Sequence, residues 1–79
     1  MSRRALIREA IQHNDTIWYV VKYYAENIKS DVQLRKVLND LKESTERSLE
    51  KTKGLELEKH HQRLLDIIKQ SLDLLGGEE

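Results

Sequence analysis

The chain contains no proline and no cysteine, and Gly54 is the only glycine before residue 76. Turns with positive φ and breaks in regular structure draw on glycine and proline, so punctuation this sparse favours helices joined by short turns. Within that limit the apolar stripe changes phase twice, at Ser30-Asp31 and at Gly54. Those two breaks divide the chain into segments that must fold back on one another.

On a helical wheel at about 100° per residue, Leu6, Ala10, Ile17, Val21, Tyr24 and Ile28 fall within about 60° of one another. Ile7, Ile11, Trp18 and Ala25 widen this face on one side and Val20 on the other. The stripe keeps its phase through His13-Asn14-Asp15-Thr16, where a loop would normally reset it. One helix over about residues 2-28 is therefore expected. The alternative is a break near Asn14 or Asp15, either of which can cap a following helix.

Leu34, Val37, Leu38 and Leu41 lie off that stripe, so the chain turns before them. Ser30 and Gln33 have the spacing of a capping box, and Asp31 falls in a first turn, where the dipole favours negative charge. The helix that follows, over 31-53, carries Leu34, Leu38, Leu41, Thr45, Ser48 and Thr52 at heptad spacing. Its seam is leucine in the first half and hydroxyl in the second. Gly54 stops it, with Lys51 and Lys53 near the negative end of the dipole.

A third stripe, Leu57, His61, Leu64, Ile68 and Leu75, is displaced again and belongs to a helix over 55-75. Glu56 and Glu58 occupy its first turn, Gly76-Gly77 stop it, and Glu78-Glu79 should fray. The expected fold is all-α: one domain over 1-79, an up-down-up three-helix bundle with short turns near Ser30 and Gly54. Leu65, Ile67, Leu72 and Leu74 make the third stripe wider than one neighbour needs. Packing against two helices explains that width, and so does a homodimer.

Hydrophobic content of 38% supports a helical core, whereas 35% charged residues argue against a membrane protein. The longest apolar run, Ile17 to Val21, is far short of the roughly 20 residues that cross a bilayer. No apolar run follows the N-terminal arginines, so no signal peptide is expected. Without cysteine there is no thiolate chemistry, no disulfide and no Cys-based zinc site, which suits a reducing, cytoplasmic setting if the chain is natural. Fourteen basic residues balance fourteen acidic ones, so net charge does not steer the chain toward nucleic acid or anionic lipid. No enzyme is expected either. There is no nucleophile elbow, no phosphate-cradling glycine loop and no ligand-sized pocket to anticipate, and no cofactor is implied.

Two groups of residues stand out. Asn14, Thr45 and His61 interrupt the three stripes at similar heights, which predicts a buried polar layer that fixes register at some cost in stability. The alternative is a bundle-core metal site with His13, His60 and Glu58 as further ligands. Adjacent His60 and His61 diverge by about 100°, however, and Glu58-His61 is a single instance of a Glu-x-x-His spacing. The register-fixing layer is the expectation, with no metal.

Tyr19 and Tyr23 lie one turn apart on the face opposite the apolar stripe. They suit either i, i+4 packing or anchorage of a protein partner. Arg3, Arg4 and Arg8 are expected to meet Lys51 and Lys53 at one basic end, near Lys59 and Arg63. Glu9, Glu50, Glu56 and Glu58 share that end and no aromatic is interleaved for stacking, which disfavours nucleic acid.

The short turns, the Ser30-x-x-Gln33 box, the Gly54 stop, the dipole-matched charges and the absence of proline and cysteine resemble a de novo designed three-helix bundle. The resemblance covers the whole chain and is generic. It implies a scaffold without catalysis. The functional expectation is a non-enzymatic helical scaffold or protein-interaction module. A small phage- or plasmid-type regulatory protein that binds a partner through an exposed helix face is the alternative.

Overall fold

The stretch His13-Asn14-Asp15-Thr16 is a helix break, and it changes the architecture. The computed structural model describes residues 3–76. Among them are four helices, α1 (Arg3–His13), α2 (Thr16–Asn27), α3 (Asp31–Lys51) and α4 (Leu57–Leu74), and no strand. The all-α class is as expected; the three-helix up-down-up bundle is not, because helix one is two helices. The expected start at residue 2, and the Gly77 and Glu78-Glu79 ends, lie outside the described residues.

The break has a local cause. Asn14 adopts φ 48°, the left-handed region that ends a helix and that asparagine enters more readily than most residues. Asp15 is then extended at φ −130° and ψ 146°, and its Oδ1 accepts the Ile17 N–H at 2.8 Å as an N-cap. Two residues thus stop one helix and start the next.

The remaining boundaries follow their signals closely. Ser30 Oγ accepts from Gln33 N at 3.2 Å, the hydroxyl side of the expected box. Thr52 closes α3, Gly54 takes φ 83° in the turn, and Glu58 Oε1 accepts the Gly54 N–H at 3.0 Å. Gly76, at φ 74°, follows the end of α4.

Directions are fixed by three long-range contacts. Arg3 opens α1 yet donates to Ala25 O at 2.8 Å, Ile28 O, Lys29 O at 2.8 Å and Asp31 Oδ1 at 2.5 Å, so α1 and α2 are antiparallel. Arg35 in the second turn of α3 reaches Leu75 O at 3.4 Å, which makes α3 and α4 antiparallel. The Asp15–Arg63 ion pair ties the α1–α2 turn to the first half of α4.

Helix lengths now explain the odd composition of the α3 seam. At about 1.5 Å per residue, α1 and α2 span about 16 and 18 Å, but α3 spans about 32 Å. The α1–α2 hairpin therefore covers roughly half of the α3–α4 hairpin. Burial agrees. Leu34 and Leu38 are sealed in the first half of α3, while Leu65, Ile67, Ile68, Ser71 and Leu75 form the buried run at and beyond the middle of α4. Leu6, Ala10, Trp18, Val21 and Ala25 close the core from the α1–α2 side. Toward the Gly54 turn the seam opens: Thr45 is still buried, whereas Ser48 and Thr52 are only half-buried.

Helix α4 packs against α1, α2 and α3, so its wide apolar face is used within one chain. Leu57, expected in the third stripe, is instead exposed, as is Leu55 in the turn before it. Both lie past the reach of the α1–α2 hairpin.

Candidate functional site

The expected polar layer does not form. Asn14 is exposed in the turn and contributes nothing to the interior. Thr45 is buried, but its hydroxyl donates to Leu41 O of its own helix at 2.7 Å. His61 is half-buried, with Nδ1 3.2 Å from Thr52 Oγ1, two helical turns beyond Thr45. A shared height requires three helices folded about two short turns, and the chain has four helices among the described residues. The additional break and the longer turn at 52–56 shift that register.

The other candidate metal ligands are engaged separately. His13 stacks on the buried Trp18 ring at 4.7 Å between centroids and 6° between planes, with Nε2 3.0 Å from Glu9 Oε2. Glu58 caps the Gly54 N–H, and His60 meets the edge of His61 at 5.6 Å. Among the described residues no three His, Asp or Glu side chains converge as a metal requires.

Nor is there a single basic end. Because α1 and α2 are antiparallel, Arg3 sits at the α2 C-terminus and beside Asp31. Lys51 lies at the other end of α3, about 30 Å away along the helix. Arg3 thus opposes the dipole of its own helix but complements that of α2, whose free carbonyls it binds. Arg63 is likewise committed to Asp15. That hydrogen bond first, and the Ile17 N–H second, hold the Asp15 carboxyl below its ordinary value of 3.8.

The outer face of α2 carries an exposed aromatic patch. Trp18, Val21 and Ala25 turn inward. Opposite them, Tyr19 is 58% exposed and Tyr23 is 62% exposed. Val20, expected to widen the core face, is 44% exposed and stands beside them. Since residues three and four apart adjoin on a helix, Tyr19, Val20 and Tyr23 form one patch. Lys22 Nζ lies 6.0 Å from the Tyr19 ring centroid and pairs with Glu26 at 3.2 Å. Tyr24, half-buried, leans on Tyr23 at 6.3 Å with planes tilted by 54°. Both tyrosine rings are therefore supported while their outer faces remain open.

A second surface lies on α1. Arg3, Arg4, Ile7, Arg8 and Ile11 line an open groove of about 540 Å³, and Ile11 is 60% exposed. The apolar periodicity assigned Ile7 and Ile11 to a broad core face. With α1 only 11 residues long and two neighbours to cover it, Ile7 is half-buried against the core and Ile11 stays outside. No described helix is long and apolar enough to cross a membrane. No family model matches the sequence, and no curated protein or solved structure matches it.

Proposed function

We propose that the chain is a non-enzymatic helical scaffold that presents the outer face of α2 to a protein partner. The observation that carries this reading is the contiguous exposure of Tyr19, Val20 and Tyr23. Tyrosine combines a large apolar ring with a polar tip and few rotatable bonds, so it anchors interfaces at small entropic cost. Contacts from Lys22 and Tyr24 reduce that cost further by limiting the rings before a partner arrives. The buried side of the same helix, centred on Trp18, holds the patch against the core. The implied division of labour is simple: one side folds and the other binds.

Replacing both Tyr19 and Tyr23 by Ala tests the reading. Stability should stay within about 0.5 kcal/mol of the parent, because only exposed i, i+4 contacts are lost and alanine is the better helix former. A photo-crosslinking side chain placed at Tyr23 should label one defined protein in extract, whereas one placed at Asp40 on the outside of α3 should not. Equal labelling from both positions, or marked destabilisation of the double variant, refutes the proposal.

A further inference from the structure

We infer that the groove on α1 is a second docking site, and that it takes an acidic amphipathic helix. The inference does not rest on the α2 face. It rests on an unbalanced charge pattern around the exposed Ile11 and the half-buried Ile7.

Arg4 and Arg8 are one turn apart, as are Ile7 and Ile11, so the groove presents two parallel rows about 6 Å per step. Arg4 and Arg8 are exposed, and neither makes a hydrogen bond or ion pair among the described residues. Their neighbour Arg3 is occupied by the end of α2 and by Asp31. No carboxylate lines the groove. The one acid of α1, Glu9, is turned to another side of the helix and pairs with His13. In a chain whose charges balance overall, this flank is cationic, and among the described residues only Arg3 on it has a carboxylate partner, Asp31.

The positions are also unfavourable for the helix itself, since Arg4 lies in the first turn and faces the positive end of the dipole. A bound carboxylate relieves that. Guanidinium groups bind carboxylates through paired N–H donors, and two of them spaced by one turn match two carboxylates spaced by one turn on a facing helix. Leucine-sized side chains on that partner would cover Ile7 and Ile11, completing a charged rim around an apolar centre. A polyanion alone fits less well. Nucleic acid would meet no aromatic for base stacking and would leave Ile11 in water. Anionic lipid is poorly held by two arginines without a larger apolar face.

The test uses the full chain and a synthetic helical peptide of about 14 residues bearing adjoining Glu and Leu stripes. Fluorescence anisotropy should show binding that weakens as salt is raised. Replacing Arg4 and Arg8 together by Gln should weaken it on the order of tenfold or more. Ile11→Ser should weaken it as well. The pair Tyr19→Ala/Tyr23→Ala should leave it unchanged, which separates this site from the α2 face. Both arginines are exposed and unpaired, so the variant is expected to fold, and circular dichroism verifies that it does. Absence of binding at millimolar peptide overturns the inference, as does equal binding of the Glu→Gln peptide. So does tighter binding of an oligothymidylate, or of phosphatidylserine vesicles, that displaces the peptide.

Discussion

Asn14 offers a test in which two architectures predict opposite signs. Its φ of 48° is left-handed, and an alanine there costs about 1–2 kcal/mol because Cβ crowds the following carbonyl. Asparagine already bears part of that cost, so Asn14→Ala should destabilise by about 1 kcal/mol. Asn14→Gly removes the Cβ and should be neutral or slightly stabilising, offset by the greater freedom of glycine in the unfolded chain. Glycine therefore exceeds alanine by about 1 kcal/mol in the turn.

In a helix running unbroken through residue 14 the order reverses. Alanine would then exceed glycine by about 1 kcal/mol on propensity alone. The two architectures differ by about 2 kcal/mol in the Ala–Gly comparison, and about 1 kcal/mol corresponds to about 4–8 °C in Tm for a domain of this size. Thermal unfolding followed at 222 nm resolves such a gap. If Asn14→Ala melts above Asn14→Gly, the α1–α2 break is wrong, and with it the antiparallel placement of Arg3.

Three further outcomes follow from named contacts. The Asp15 carboxyl is depressed below 3.8 in the folded state, so the unfolded chain binds more protons on acidification. Its stabilising contribution is full above about pH 4 and fades as pH falls through the lowered value. Asp15→Asn keeps an N-cap and should flatten that acid limb, while Asp15→Ala should also lower Tm at neutral pH; unchanged acid titrations in both refute the ion pair's role. Trp18, 2% exposed, should cost about 3–5 kcal/mol on replacement by Ala. That is a large part of the roughly 4–12 kcal/mol available to a chain of 79 residues, and urea titration measures it. Arg3→Lys should destabilise by about 1–2 kcal/mol, because an ammonium cannot span the carbonyls of Ala25, Ile28 and Lys29 together with Asp31. A variant as stable as the parent would show that this cap adds nothing.

The amino-acid sequence by itself determined that the chain is helical, that Ser30 starts one helix, and that Gly54 and Gly76 lie where helices have ended. Each of those is a local event, decided by a hydroxyl, a missing Cβ or a charge within one turn of the backbone. It also placed Tyr19 and Tyr23 away from the core, since their wheel position opposes a strongly apolar face. The break at Asn14-Asp15 was visible as an alternative but not decidable. The stripes of α1 and α2 share one phase, and a tight antiparallel hairpin presents both to one core as readily as a straight helix does.

Only the tertiary structure decided the rest. Reversing the chain at residue 14 carries Arg3 to the end of α2 instead of to Lys51 and Lys53. It shortens the covering hairpin so that Thr52 and His61 are only half-buried, and it leaves Val20 and Ile11 outside. Side chains on the flank of an apolar stripe are buried or exposed according to how many helices pass over them. That number is set by chain direction and helix length, which no wheel records.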